Sequence, residues 1–235
     1  DFETKIYKQA FWNVKNILEY GHPRNDLFFM KNDGVREKVK KKLGISEESK
    51  ILLYVPTFRD NGLYGAEYLD SEKVVRKIEE RFGGNWEFVV RYHPKSELCL
   101  EKIKIGINAT NYPDIQELLL ASDAVITDYS SCIFDFILTG RPGFIFATDN
   151  DIYNEVRGLY YPLKNTPFLI AENNEQLCKN IDDFDENVYE KKVKQFLSDK
   201  GSVEDGHAAE RVERLIKQLA RNEENEEISK DFLES

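Results

Sequence analysis

Four short, uninterrupted apolar runs constrain the fold of this chain most. They are "KILLYVP" (Lys50–Pro56), "WEFVV" (Trp86–Val90), "AVIT" (Ala124–Thr127) and "PGFIFA" (Pro142–Ala147). A strand with one face in water alternates apolar and polar residues. A strand buried on both faces does not, and sheets covered on both sides are almost always parallel. Between and after the runs lie segments with helical spacing. "SEKVVRKIEERFGG" carries Val74, Val75 and Ile78 on one face and ends on two glycines; "YPDIQELLLASD" has Asp114 as its natural start; "SCIFDFILTG" ends at Gly140. "NEQLCKNIDDF", "NVYEKKVKQFLSD" and "GHAAERVERLIKQLARNEENEE" complete the series. With "KIKIGIN" as a further candidate strand, the alternation predicts an α/β fold: a Rossmann-like parallel sheet of about five or six strands with helices on both faces.

Composition narrows the function. The chain has 235 residues, 41% of them apolar, and a formal net charge of −10. That is enough for a sizeable core and argues against general binding to nucleic acid. The cysteines, Cys99, Cys132 and Cys178, are odd in number and widely spaced, which suits reduced thiols and neither a disulfide framework nor a zinc site. No apolar run reaches a membrane span's ~20 residues and no signal peptide is visible. The chain opens mid-pattern without Met, so we expect it to be part of a longer protein. G-x-G-x-x-G and G-x-x-x-x-G-K-[ST] are absent, as are H-E-x-x-H and any Cys/His cluster, so no dinucleotide, P-loop or metal chemistry is called for and no cofactor is expected.

In parallel sheets ligands bind beyond the carboxyl ends of the strands, next to helix N-termini. "TDYSS" passes straight from a strand into a helix, where free N–H groups and the helix dipole favour an anion and where Ser130 and Ser131 add donors. The same residues could serve only to cap that helix, and from this stretch the two readings are evenly matched. Thr57, Arg59 and Asp60 follow the first strand; Arg91 and His93 follow the second, two apart and therefore on one face; Asp205 opens the last long helix. Arginine's planar fork suits phosphate. "DND" at 149–151 reads as a solvated loop opening a helix, and the basic run Lys38–Lys42 as either a solvated face or a dock for a partner or membrane surface.

Taken in order, "GHPRND", "YVPTFRD", "RYHP", "PDIQELLLASDAVITDYSSCIFDFILTGRPGFIF", "YNEVRGLYY" and "DGHAAERV" resemble the CDP-glycerol glycerophosphotransferases that build teichoic acids and related capsule polymers. The likeness runs from about Gly21 to Ala220. It implies the carboxyl-terminal, nucleotide-binding half of a GT-B architecture, with residues 1–30 belonging or linking to an acceptor lobe, 31–221 forming the CDP-glycerol-binding lobe and 222–235 an acidic tail. The implied reaction moves glycerol phosphate from CDP-glycerol to a hydroxyl of a lipid-linked or glycan polymer acceptor, releasing CMP, in the cytoplasm or at the cytoplasmic face of the membrane. Contact with the membrane would come through the lobe outside this sequence.

The resemblance assigns Ser130 and Ser131 to the pyrophosphate and Arg91 and His93 to the leaving phosphate, with His93 as the catalytic acid. It sets Thr57 and Arg59 near the nucleotide or diphosphate. Asp205 would bind a hydroxyl or orient Arg211, and Asp128 would brace its loop. Arg141 is a weaker ligand candidate, and His22, which replaces the family's usual aromatic residue, is read as structural. The family's acceptor-side His-Gly-Thr motif is not found here, so this chain is expected to bind donor and to be inactive alone. CDP-ribitol as donor, or a GT-B sugar-nucleotide glycosyltransferase or epimerase, are the alternatives.

Overall fold

The computed structural model describes residues 2–11, 16–30, 33–57, 69–92, 105–156, 158–160 and 162–221. The chain divides into two compact units, residues 32–194 and residues 1–31 with 195–235.

The larger unit is built on a sheet of six parallel strands among the described residues: β1 (Lys50–Val55), β2 (Trp86–Val90), β3 (Ile107–Asn108), β4 (Ala124–Thr127), β5 (Gly143–Phe146) and β6 (Leu169–Ala171), in the order β3-β2-β1-β4-β5-β6. The expected apolar runs are the central strands. Leu52, Leu53, Tyr54, Val89, Val125, Ile126 and Phe144 are fully buried, as strands covered on both sides require. The third strand is shorter than "KIKIGIN" suggests, and Lys102–Lys104 lie outside the described residues. β6 escaped the sequence reading. Its run, "FLIA", follows a turn-rich stretch and is too short to show a period.

Helices α2 (Asp33–Leu43), α4 (Ile115–Ala121) and α5 (Cys132–Phe136) pack as one group, and α3 (Ser71–Phe82) packs with α7 (Asn174–Asp182) as another. Asp70, Asp114 and Asn173 cap α3, α4 and α7, each accepting a backbone N–H from the first turn. The "SCIFDFILTG" helix is shorter than its pattern suggests. α5 tightens into a 3-10 turn over Ile137–Thr139 and stops at Gly140, whose φ of 70° is left-handed.

The basic run is a solvated face in part: Lys38, Lys41 and Lys42 are exposed and Lys40 is buried. Arg36 forks onto Asp123 Oδ2 at 2.6 Å and the Ala121 carbonyl at 2.9 Å. Lys38 reaches Glu117 at 2.6 Å, Lys40 is buried with its ammonium on the Glu47 carbonyl, and Lys42 lies 4.8 Å from the centre of the Tyr112 ring. Arg36 and Lys38 tie α2 to α4 and its carboxyl end, and Lys40 anchors the loop that follows α2.

In the smaller unit are α1 (Phe2–Ala10), a 3-10 helix (Pro23–Phe29), the end of α8 (Glu186–Asp199) and α9 (Ala208–Arg221). Buried Asp26 caps α9 from a distance in sequence, accepting from Ala208 N at 3.0 Å and Ala209 N at 2.7 Å. His22 donates its backbone N–H to Glu204, and its ring Nδ1 lies 2.6 Å from Glu204 Oε1. This is the structural role expected of His22. Among the described residues no helix is long and apolar enough to cross a membrane.

Candidate functional site at the carboxyl edge of the sheet

The strand order reverses between β1 and β4, the position at which open parallel sheets form a ligand crevice. Val55 pairs with Thr127, so the two strands end level, and the Arg91 N–H bonds the Tyr54 carbonyl at 2.9 Å, bringing the end of β2 to the same edge. Thr57, Arg91 and Asp128–Ser131 therefore share one rim.

Asp128 fastens this rim together. It is 2% exposed, and its carboxylate accepts from Thr57 N at 2.9 and 3.1 Å, from the Thr57 hydroxyl, and from its neighbour Tyr129 N at 2.6 Å. Below it, the Thr127 hydroxyl donates to the Val55 carbonyl at 2.6 Å. The expectation that Asp128 braces its loop thus has a concrete form: one buried carboxylate ties the turn after β1 to the turn after β4.

The serines were ambiguous between capping and binding. Ser131 occupies the N-cap position of α5, yet its side chain makes no capping hydrogen bond, and the residue is exposed. Ser130 Oγ donates to Cys132 Sγ at 3.2 Å and receives only a long contact, 3.4 Å, from Cys132 N. Capping therefore leaves most of the hydroxyl capacity of this turn unused. Burial pushes the Cys132 thiol up to about 12, so it stays protonated at neutral pH and contributes no charge.

Arg91 is half-buried beside this turn, near enough to Cys132 and Asp114 for both to bear on its titration. Desolvation lowers its pKa, and its Nε is shut off from solvent with no hydrogen-bond partner among the described residues. Buried guanidinium donors are normally paired. An unpaired one beside the Ser130–Ser131 turn, whose hydroxyls retain acceptor capacity, is the local chemistry of an anion site.

The remaining expectations divide. Arg59 and His93 lie outside the described residues. Asp205 and Arg211 belong to the smaller unit and bind each other: Arg211 Nη1 is 2.8 Å from Asp205 Oδ1, Nη2 engages Oδ2, and Nη1 also reaches the Tyr20 carbonyl at 3.0 Å. Asp205 thus orients Arg211, one of the two roles expected for it. Arg141 is not a ligand candidate. It precedes β5, at the opposite edge of the sheet, where its Nη1 donates to the carbonyls of Leu120 at 2.6 Å and Ser122 at 2.5 Å. "DND" opens a helix as expected, α6 (Asn150–Val156), but only Asp151 of the three is exposed. Asp149 Oδ1 accepts from the Tyr129 hydroxyl at 2.9 Å, Tyr129 stacks on Tyr153, and Asn150 Oδ1 is buried. Among the described residues no cluster of three or more His, Cys, Asp or Glu could hold a metal ion.

Comparison with known proteins shows the family. The family model described as CDP-glycerol:poly(glycerophosphate) glycerophosphotransferase matches residues 1–218. The chain belongs to this family. It is 30% identical over 232 residues to the teichoic acid poly(glycerol phosphate) polymerase of Staphylococcus epidermidis, covering 92% of this chain and 32% of that protein. It is 28% identical over 241 residues to the teichoic acid poly(ribitol-phosphate) polymerase of Bacillus spizizenii, covering 97% of this chain and 38% of that protein. A solved structure of the wall teichoic acid polymerase TagF, from a crystal soaked with CDPG, superposes with a TM-score of 0.75 at 28% identity over 95% of this chain and 56% of that chain. The chain spans about a third of the length of the two curated relatives named here.

Proposed function

We propose that this chain is the donor-binding part of a glycerophosphotransferase that transfers glycerol phosphate from CDP-glycerol to a hydroxyl of a growing teichoic-acid-type polymer. The observation that carries the reading is the half-buried Arg91, its Nε without a partner among the described residues, beside the Ser130–Ser131 turn at the strand-order reversal of the sheet. In the proposed reaction the acceptor oxygen attacks the phosphorus bearing glycerol, the bond from that phosphorus to the bridging oxygen breaks, and CMP leaves with the bonding pair. Ser130, Ser131 and Arg91 hold the pyrophosphate and offset the charge that grows on the departing phosphate, and positioning of this kind supplies most of phosphoryl-transfer catalysis. By resemblance, His93 protonates the leaving group, and Arg59 and Thr57 lie near the nucleotide or diphosphate. The acceptor-side base belongs to a lobe outside this sequence, and the work is done in the cytoplasm or on the cytoplasmic face of the membrane, where a polymer acceptor on a lipid carrier would be met.

Calorimetric titration with CDP-glycerol, CDP-ribitol, a UDP-sugar and CDP tests the reading. CDP-glycerol should bind and the UDP-sugar should not. Replacing both Ser130 and Ser131 with Ala should weaken CDP-glycerol by ~10- to 100-fold while the fold survives, since each hydroxyl bond to a charged oxygen contributes ~1.5–3 kcal/mol. Tighter binding of the UDP-sugar, or wild-type affinity in the double variant, would overturn it. CDP-ribitol binding tighter than CDP-glycerol would move the activity to the ribitol side of the family.

A further inference from the structure

The turn that carries Ser130 and Ser131 is weakly held by its own backbone. Ser131 makes no capping bond, Cys132 N reaches Ser130 Oγ at 3.4 Å, and Ile133 N reaches the Ser130 carbonyl at 3.5 Å. Phe134 N to the Ser131 carbonyl, at 3.0 Å, is the one bond of ordinary length among these. α5, which follows, has five residues, too few to be stable by itself. Asp128 fixes the start of the turn and buried Ile133 its end. Between them, the Tyr129 side chain reaches out of the turn. Its hydroxyl donates to Asp149 Oδ1 at 2.9 Å, and its ring lies on that of Tyr153 with centroids 3.8 Å apart and planes 9° from parallel.

The two groups that grip Tyr129 act as one body. Tyr153 N bonds the Asp149 carbonyl at 2.9 Å, so the acceptor carboxylate and the stacked ring sit on a single helical turn. α6 buries no residue, and from 151 to 156 every residue except Tyr153 is exposed. Thr127 pairs with Ile145, so Tyr129 and Asp149 leave neighbouring strands just beyond the paired residues. A stack fixes the plane of the phenol ring, and a hydrogen bond to a carboxylate fixes its direction within that plane. Tyr129 is only half-buried, so water could satisfy its hydroxyl, and burial alone calls for neither constraint.

We propose that Tyr129 and Tyr153 are positioning residues of the donor site. Gripped by Asp149 and Tyr153, Tyr129 holds the serine turn at the place and angle at which its hydroxyls meet the diphosphate, and it acts through that turn instead of by touching the ligand. The proposal rests on the donor-binding reading above and adds what preorganises it. It is tested by titrating CDP-glycerol into the chain and into Tyr129→Phe, Asp149→Ala, Tyr153→Leu and Tyr153→Phe. Each change is also made in the Ser130→Ala/Ser131→Ala background, and thermal melts establish that every variant is folded at the titration temperature. With the serines present, Tyr129→Phe, Asp149→Ala and Tyr153→Leu should each weaken binding about three- to tenfold, and Tyr153→Phe, which keeps the stack, should return it to the wild-type value. Without the serines, the same changes should alter affinity by less than about twofold, because the groups they position are gone. Equal losses in both backgrounds would mean direct ligand contact or general loosening, and would overturn the proposal. Tighter binding by Asp149→Ala would overturn it too, since the carboxylate would then act by repelling the donor. If Tyr153→Leu fails to fold, Tyr129→Phe, which removes one oxygen, decides the question alone. Unchanged affinity in the tyrosine variants, with a weakened double-serine variant, would remove the positioning role and leave the donor reading intact. No binding by wild type, or wild-type affinity in the double-serine variant, would remove both.

Discussion

Asp128→Ala is the most informative single change in this rim. It deletes one carboxylate and with it the bonds from Thr57 N, the Thr57 hydroxyl and Tyr129 N. Hydrogen bonds to a charged acceptor contribute ~1.5–3 kcal/mol each. Thr57 is only half-buried, so water recovers part of the loss once the carboxylate is gone. A net destabilisation of ~3–5 kcal/mol follows, and at ~2–4 °C per kcal/mol for a chain of this size the melting temperature should drop by ~6–20 °C. Asp128→Asn keeps the shape and one acceptor oxygen but turns an NH2 towards donors, so it should lose about half as much. Thr57→Val removes only the hydroxyl bond and should cost ~1–2 kcal/mol. Thermal and urea unfolding of the three variants, followed by circular dichroism, measure the series. If Asp128→Ala melts within about 2 °C of wild type, or if Thr57→Val is the most harmful of the three, the carboxylate does not hold the rim together and the reasoning fails.

Three further outcomes follow from the same geometry. Arg91→Met should leave the melting temperature unchanged or slightly higher, since it removes an unpaired buried donor, while weakening CDP-glycerol binding ~10-fold or more; a large loss of stability would show that Arg91 is structurally paired. Cys132, with its thiol pushed up to about 12, should resist alkylation at pH 8 in the folded chain and react only on unfolding, which mass spectrometry after iodoacetamide treatment reads directly. The hydrogen bond that the His22 ring donates to Glu204, opposed by burial and helped by Glu3, raises the pKa of His22 above its ordinary 6.5. His22 therefore binds its proton more tightly in the folded state, and the resulting stability is fully present below about pH 6.5 and is lost as pH rises through the raised value. The stability gap between wild type and His22→Ala should accordingly be widest in mild acid and narrow above neutrality; a gap that widens with pH would contradict the pairing.

The central strands were legible because burial on both faces leaves an unbroken apolar signature, as in "ILLYV" and "GFIF". Helix starts were legible where an acid could cap, as at Asp114. What the sequence concealed depends on partners distant in the chain. Nothing in "VREKVKKKLG" reveals that Lys40, alone among its lysines, is buried or that Arg36 pairs with Asp123. Arg141, beside the conspicuous "TGRPG", looked like a ligand until the strand direction set it at the wrong end of β5. In the site, Thr57, Arg91, Ser130 and Ser131 could be collected by a rule about strand ends. Tyr129 and Tyr153 carried no signal at all, because stacking between separate elements has no period along the chain.

Asp128 and Thr57 are 71 residues apart in sequence, and β1 and β4 pair across nearly the same interval, as Val55 with Thr127. The rim therefore lies on a seam between two successive excursions of the chain, and it can close only after both have been made. Bringing such distant segments together is entropically slow compared with forming α3 or the β1–β2 neighbourhood, so the seam should be among the later events of folding. On a ribosome, the first half of the sheet would emerge with its β1 edge uncovered until β4 arrives, an exposed parallel edge of the kind that recruits other chains. Truncation within the β4 segment should yield aggregates, whereas a break in a surface turn on either side of the seam should yield two fragments able to reassemble.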